Sequence, residues 1–395
     1  MLVLWALRAV NVALTPRFVP RLPKGGAERN PGSPAGLPQA ILSDRPASFV
    51  SVVVPARNEE RDVRAATLSK LAQDDLRFEV VVVDDRSEDA TGRILADLAS
   101  SDPRLVVVKG VEPPADWLGK PHALHQGTLA ARARERTDWL LFADADVHFS
   151  PDAVRRAAAF AEERGLEFLT LMPRLVTESF AEKLLIAAVP DFGFAYFPGW
   201  AFNVPALRRW GGGAGAFNLI RRGLYDDLGG HAALRNSVVD DIQLGRSAKK
   251  SGAACLLALG LDAVSVRMYH GFRETLNGFT KNGYFGLGAN VPLALLLLAG
   301  FTVEGLLPFA VLSAFLAGVP VPGTPLLLAA AGAASALLVR ASVQRLLGYS
   351  SWVVLLHPVW VIAVAFVFLR STVSNGVLGR NVWRGRVRDV RTLRI

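Results

Sequence analysis

From about residue 49 to residue 280 the chain alternates short apolar runs with amphipathic stretches. The runs at 49–54, 79–83, 104–108, 138–143, 167–172 and 262–268 predict strands. The stretches at 59–73, 87–100, 121–135 and 152–164 predict helices. Ser150-Pro151-Asp152 reads as a helix start, with Ser as the cap and Pro at the first position. Strands alternating with helices predict an α/β fold: a mostly parallel central sheet with right-handed crossovers.

The pattern changes on either side of this region. Met1–Leu14 is apolar except for Arg8 and Asn11, shorter than the roughly 20 residues a crossing needs. It reads as an interfacial or partial anchor; no small-residue cleavage site follows, which speaks against a signal peptide. Residues 22–48, rich in Pro, Gly and Ser, predict a linker. Beyond residue 285 come three candidate membrane crossings: 291–318 with the single charge Glu304, the Ala-rich 324–339, and 351–369 with no formal charge before Arg370. Three such stretches in succession would need a very large core to be buried in a soluble protein. The expected organisation is an anchor and linker (1–48), an α/β domain (49–285), a transmembrane region (286–370) and a basic tail (371–395). Arg340 and Arg345 place the loop before Ser350 on the cytoplasmic side, and the tail arginines ask for the same side. One ordinary crossing at 351–369 does not satisfy both.

Composition sharpens this picture. Hydrophobic residues make up 51% of the 395 and the mean hydropathy is +0.30, consistent with a membrane region. The net charge is +9, and Arg370, Arg380, Arg384, Arg386, Arg388, Arg391 and Arg394 crowd the C-terminus. Beside apolar segments such a tail suits an anionic lipid surface. No interleaved aromatic-basic face supports nucleic-acid binding. Cys255 is the sole cysteine, which excludes an intrachain disulfide and a cysteine metal cluster.

The chemistry sits at strand ends. Asp144-Ala145-Asp146 follows the run Trp139–Ala143, and Asp84-Asp85 follows Val80–Val83. Carboxylates at the mouths of buried strands are costly to desolvate, and ligands of open α/β sheets bind outside the carboxyl ends of strands. A cation or a polyol accounts for both pairs. Mg2+ or Mn2+ would take oxygen ligands from Asp144 and Asp146 and share them with phosphates; His148 is either a further ligand or a solvent-facing loop residue. Asp84 or Asp85 either accepts hydrogen bonds from a uracil imide or ribose, or caps the following helix. Val52–Glu60 leads from a strand into a helix start, where a base can rest after Pro55. Lys120, after Gly119 at a helix start, is either a point charge for a diphosphate or a solvated lysine. Gly211–Asn218 is either a loop allowing close backbone approach or plain flexible chain, and it lacks the setting of a dinucleotide fingerprint. Asp240 and Asp241 open an amphipathic helix, either as proton acceptors or as acids favoured there by the helix dipole.

In this order, the strand-end Asp pair, Gly-Lys, Asp-x-Asp, the Gly-rich segment and Val239-Asp240-Asp241-Ile242-Gln243-Leu244 resemble family 2 glycosyltransferases of the GT-A fold over residues 50–285. The resemblance implies that Arg57 and Glu59 line the nucleotide pocket, Asp85 with Asp84 holds the base, Lys120 lies near the diphosphate, Asp144 and Asp146 hold nucleotide and metal, and Asp241 is the catalytic base, with Asp240 where the family often has Glu. Gly278-Phe279-Thr280-Lys281-Asn282 and Trp383-Arg384-Gly385-Arg386 resemble the membrane-bound subgroup of hopanoid-associated, carotenoid-acid and ceramide glucosyltransferases. Tyr269-His270-Gly271-Phe272-Arg273 stands where chain-forming and ceramide-type members carry a Gln-x-x-Arg-Trp type motif, and has neither the Gln nor the Trp. The implied activity is inverting, metal-dependent transfer from a nucleotide sugar, UDP-linked by preference, to a hydroxyl or carboxyl of a membrane lipid, at the cytoplasmic face of a multi-pass plasma-membrane protein. A polysaccharide synthase and a non-catalytic nucleotide-binding membrane protein are the competing readings. The aromatics of 179–210, among them Phe180, Tyr196, Phe197 and Trp200, suit either a surface dipping into the lipid interface or ordinary core.

Overall fold

The computed structural model describes residues 2–24, 48–74, 77–131, 137–383 and 386–389. Most of the expected linker, 25–47, lies outside the described residues, as do Arg384, Arg391 and Arg394. The chain divides into two compact units. One comprises Met1–Val19, Leu175–Ala201 and Arg267–Ile395; the other comprises Pro20–Arg174 and Phe202–Val266. Residues 175–201 and 267–285 thus fold with the apolar helices, whereas the sequence pattern groups them with the α/β region.

The unit Pro20–Arg174 with Phe202–Val266 carries a seven-stranded sheet of order β3-β2-β1-β4-β8-β6-β9. Its strands are β1 (Phe49–Ala56), β2 (Arg77–Asp84), β3 (Leu105–Lys109), β4 (Trp139–Phe142), β6 (Phe168–Met172), β8 (Asn218–Arg221) and β9 (Cys255–Leu259). β1 and β2 are buried on both faces, which is why Val52–Val54 and Val80–Val83 read as unbroken apolar runs. β2, β1 and β4 run parallel with β3 at one edge. β8 is antiparallel to both β4 and β6, and β6 pairs in parallel with β9. The sheet is mostly parallel, as expected. β8 and β9 are strands the sequence pattern missed. The expected strand 262–268 is shorter, β10 (Val264–Val266), and pairs with β5 (Val147–Phe149) away from the main sheet. The two-residue β7 (Arg174–Leu175) follows β6.

Helices α2 (Val63–Leu71), α3 (Thr91–Ser101), α4 (Gly119–Ala130), α5 (Ala153–Glu163), α8 (Arg222–Asp227), α9 (Gly230–Ala233) and α10 (Asp240–Ser251) belong to the same unit. The polar pair Ser51 and Glu79 inside β1 and β2 is satisfied internally: Ser51 Oγ donates to Glu79 Oε1 at 2.7 Å.

The other unit is mostly helical, with an antiparallel strand pair, Arg380–Trp383 and Arg386–Asp389. It contains α1 (Leu2–Phe18), α6 (Phe180–Ile186), α7 (Ala188–Asp191), α11 (Gly271–Gly286), α12 (Val291–Leu316), α13 (Gly323–Leu346) and α14 (His357–Ser371). Among the described residues three segments are long and apolar enough to cross a membrane: Val291–Leu316, Gly323–Leu346 and Ser351–Val377. Two of their charged groups, Glu304 and Arg340, are paired, as charges in apolar surroundings must be. Arg8 makes a bidentate bond to Glu304 at 2.6 and 2.7 Å and stacks 3.7 Å over Tyr196. Arg340 is fully buried, donates to Asp191 Oδ2 at 2.9 Å and stacks on Trp360. An arginine held this way is not an interfacial charge, so Arg340 drops out of the orientation argument that the sequence suggested.

Candidate active site

The carboxyl ends of β1, β2 and β4 set the floor of the site. Ala56 pairs with Asp84 and Val53 with Phe142, so the residues after these strands emerge along one edge. Two tight turns shape that edge: Asn58 (φ 51°) after β1 and Arg86 (φ 56°) after β2 both lie in the left-handed region.

The two loops are laced together. Arg57, buried, donates to the carbonyls of Asp85 at 2.7 Å and Arg86 at 3.1 Å. The Asn58 N–H donates to Ser87 Oγ, the Glu59 N–H to Thr91 Oγ1 and the Glu60 N–H to Asp89 Oδ2. In return the N–H of Glu88 donates to Asn58 Oδ1 and that of Ala90 to Glu60 Oε2. Asp84 accepts from the Ser87 N–H at 3.0 Å, a local turn bond; α3 begins only at Thr91, and its N-cap Ala90 makes no side-chain bond, so Asp84 does not cap that helix. Asp85 is different. It is buried, Oδ1 accepts from Arg86 Nε at 3.1 Å, and Oδ2 has no hydrogen-bond partner. A buried, unsatisfied carboxylate oxygen is costly; an N–H or O–H of a ligand would satisfy it.

A cleft of about 250 Å3 adjoins, lined by Pro55, Lys120, Leu124, Phe142, Ala143, Asp144, Gly215, Asn218, His231, Asp240, Asp241 and Leu244. Lys120 enters from the first turn of α4, and its Nζ lies 2.6 Å from Asp144 Oδ1. Asp240 and Asp241 come from the first turn of α10. The backbone N–H groups of Ile242 and Gly215 face the Asp241 carboxylate and favour its charged form. The Gly-rich segment is not loose chain. A Cβ on Gly245 would collide with the Gly212 carbonyl, and one on Gly215 would lie 2.5 Å from Asp144 Oδ2. The glycines let the loop lie directly on the start of α10 and beside the acids.

The electrostatics are those of crowded carboxylates around one lysine. Burial opposes the charge on Lys120, but Asp144, Asp240 and Asp241 together hold its pKa well above the ordinary lysine value. Burial pushes Asp240 up to about 7, with Lys120 pulling it down and Asp241 and Asp144 reinforcing the rise. Asp241 is also raised, by burial against the pull of Lys120 and with the push of Asp144. Asp240 is 3% exposed and backed by His231, whose Nε2 is 3.9 Å from Asp240 Oδ2. Burial, Lys120 and His125 lower His231 to about 3, so this ring is neutral. Asp241 is the more open of the two acids.

Asp146 lies two residues beyond Asp144. Burial and the Asp144 charge push its carboxyl up to about 6, against the pull of Lys70. Lys70 was not anticipated from the sequence. It is 1% exposed on α2, donates to the carbonyls of Ala66 and Val147, and is lowered to about 8 by burial although Asp146 and Asp144 favour its charge. Among the described residues no group of three or more His, Cys, Asp or Glu is arranged to hold a metal ion. The Asp144–Asp146 pair still fits a hard divalent cation: two oxygen donors that repel each other, beside space for a ligand's phosphates to complete the shell. His148 lies on β5 and is lowered by burial and by Lys70.

Residues 51–240 match the family model described as Glycosyl transferase family 2. They form a family 2 glycosyltransferase domain. The chain is 26% identical over 262 residues to a 4,4'-diaponeurosporenoate glycosyltransferase of Staphylococcus haemolyticus, covering 63% of this chain and 64% of that protein. It is 32% identical over 120 residues to an undecaprenyl-phosphate 4-deoxy-4-formamido-L-arabinose transferase of Pseudomonas fluorescens, covering 30% of this chain and 33% of the relative. The match thus spans about two thirds of the first relative's length and one third of the second's. A mannosyltransferase from Pyrobaculum calidifontis, solved with GDP-Man and Mn2+, superposes over 94% of this chain and 95% of its own with a TM-score of 0.50 at 16% identity. That likeness shows the GT-A fold. In this glycosyltransferase domain the sequence-marked Lys120, Asp144, Asp240 and Asp241 share one cleft, Asp146 flanks it, and Arg57, Glu59, Asp84 and Asp85 build the adjoining loop floor.

Proposed function

We propose that this domain transfers a sugar from a nucleotide-sugar donor, UDP-linked by preference, to a hydroxyl or carboxyl of a membrane lipid, with inversion at the anomeric carbon. The observation that carries it is the cleft itself: Asp241, less buried than Asp240, lies with the Lys120–Asp144 pair in a single cavity. Asp85 Oδ2 offers an acceptor for the imide or a ribose hydroxyl of the nucleotide. Arg57 fixes Asp85 by gripping its carbonyl. Lys120 supplies positive charge to a leaving diphosphate. Asp241 accepts the proton of the attacking acceptor oxygen, which approaches the sugar from the face opposite the diphosphate. Asp144 and Asp146 would hold Mg2+ or Mn2+, which when bound supplies Lewis-acid neutralisation of the diphosphate.

The GDP-Man and Mn2+ of the Pyrobaculum structure and the lipid-type acceptors named for the two relatives support a nucleotide sugar, a divalent ion and a lipid. The three apolar segments support a multi-pass membrane protein, with the domain at the cytoplasmic face of the plasma membrane, where nucleotide sugars reside. The test is direct. Purified protein in detergent is incubated with UDP- and GDP-sugars and a lipid extract, with and without Mn2+, and the lipids are read by mass spectrometry. A lipid heavier by one sugar, lost in Asp241→Asn, supports the reading. Retained turnover in that variant removes Asp241 as the base, and free sugar or long glycan as the product overturns the acceptor class.

A further inference from the structure

The helical unit holds a second cavity, of about 410 Å3, that the transfer chemistry does not use. Its wall is apolar, with Ile186, Ala187 and Val353, and its polar groups fall into two kinds. Gln344 and Tyr349 are spent on the fold: Gln344 donates to Asp191, and the Tyr349 hydroxyl accepts from the Leu175 N–H. Lys183, Thr177 and Ser350 are not; their side chains make no hydrogen bond or ion pair among the described residues.

Lys183 has also lost its natural counter-ions. The two acids of its neighbourhood, Glu178 and Glu182, are both taken by Arg267, at 2.6 and 2.9 Å. One turn before Lys183, on the same face of α6, Phe180 is 54% exposed and stacks at 6.1 Å on Trp352, itself 47% exposed. Trp352 precedes Val353 of the cavity wall and lies at the start of the third apolar segment. Exposed aromatics at the end of an apolar helix mark the water–hydrocarbon boundary. An apolar pocket there, with one uncompensated ammonium and two open hydroxyls, matches a molecule with a hydrocarbon body and an anionic oxygen head.

We propose that this cavity is a binding site for an anionic bilayer lipid, Lys183 pairing with its phosphate or carboxylate and Thr177 and Ser350 donating to the same head. The assignment stands apart from the transfer reaction and survives if the acceptor proves to be something else.

The probe is phosphatidylglycerol, with phosphatidylcholine and inorganic phosphate as comparisons, added to the delipidated full-length chain in neutral detergent and read by native mass spectrometry. One phosphatidylglycerol per chain is expected. Lys183→Gln should weaken it about tenfold, the worth of one charge-assisted bond, and Lys183→Arg should restore it. Val353→Trp, which fills the cavity from its apolar side, should weaken it with Lys183 intact. Equal retention by Lys183→Gln overturns the proposal, as does equal affinity for phosphatidylcholine. Displacement by inorganic phosphate alone also overturns it, because the site would then bind soluble anions. Should Lys183→Gln fail to fold, the competition arms on the unmodified chain and Val353→Trp still decide.

Discussion

The Lys120 ammonium lies 2.6 Å from Asp144 Oδ1, joining the first turn of α4 to the end of β4 across the mouth of the cleft. It is the cation on which Asp144, Asp240 and Asp241 all act. Lys120→Gln leaves those three acids facing one another without it. We expect transfer to fall by about 10²–10³-fold, the scale of losing one preorganised charge partner. The acid limb of the activity profile should also move to higher pH, because Lys120 holds the carboxyls down. Steady-state rates from pH 5 to 9 check both.

The neighbouring acids of α10 should not behave alike. Asp241→Asn is expected to cost about 10³-fold or more in transfer, within the range of a lost general base, with nucleotide affinity by calorimetry unchanged. Asp240→Asn removes a buried acid backed by neutral His231, and its effect should be the smaller. The reverse order would make Asp240 the base.

The same buried acid costs stability. Asp240 titrates near 7 in the fold and near 3.9 unfolded. Between those values the native state holds a proton that the unfolded chain has released, so stability falls as pH rises from about 4 through 7. Asp240→Asn removes that slope. The variant should be more stable than the parent at pH 8, by on the order of 4 kcal/mol, and close to it at pH 4. Thermal melts at the two pH values measure the difference.

Glu182 behaves in the opposite sense. It is buried, yet Arg267 and the N–H groups of Glu178 and Gly271, with Ser179, outweigh desolvation and hold it at about 2. Its stabilisation is present above the unfolded carboxyl range and is lost as pH falls toward 2. Glu182→Gln leaves Arg267 with Glu178 alone and weakens the bonds to the Glu178 and Gly271 N–H groups; it should cost about 1–3 kcal/mol at neutral pH, read as a lower Tm that narrows against the parent in acid.

Gly215→Ala puts a methyl 2.5 Å from Asp144 Oδ2. The carboxylate must turn, and its bond to Lys120 must lengthen or break. Activity should fall while the melting temperature changes little, since the strain is met at an open cleft. Unchanged kinetics would show that Asp144 is not held in place by this loop.

Much of this was legible in the sequence because the relevant residues break a pattern. Acids that end all-apolar runs, as Asp84, Asp85 and Asp144 do, have few explanations other than a ligand or a cap. What stayed hidden had ordinary local context. Lys70 sits in a mixed helix where a lysine reads as solvated; only the packing of α2 against β5 brings it to the Val147 carbonyl and within the field of Asp146. His231, after two glycines, has no sequence mark of a residue backing Asp240. β8 and β9 were missed because Asn218–Arg221 is four residues long and adjoins a Gly-rich loop, and Cys255–Leu259 is a short run that periodicity cannot distinguish from helix. Arg340 was misread because charge counting supposes that an arginine near a helix end reaches water, and its pairing partner Asp191 is 149 residues distant.

The lacing of residues 57–60 to residues 85–91 has one last consequence. The cross-loop bonds of Arg57, Asn58 and Glu88 are closed within the fold itself, with Arg57 bolting both strands' exits to each other. A guest settling on Asp85 therefore finds a rigid seat and forfeits little of its grip to ordering the chain around it. If Asp85 seats the nucleobase as proposed, discrimination between one base and another is a question of shape, decided by a mould cast during folding.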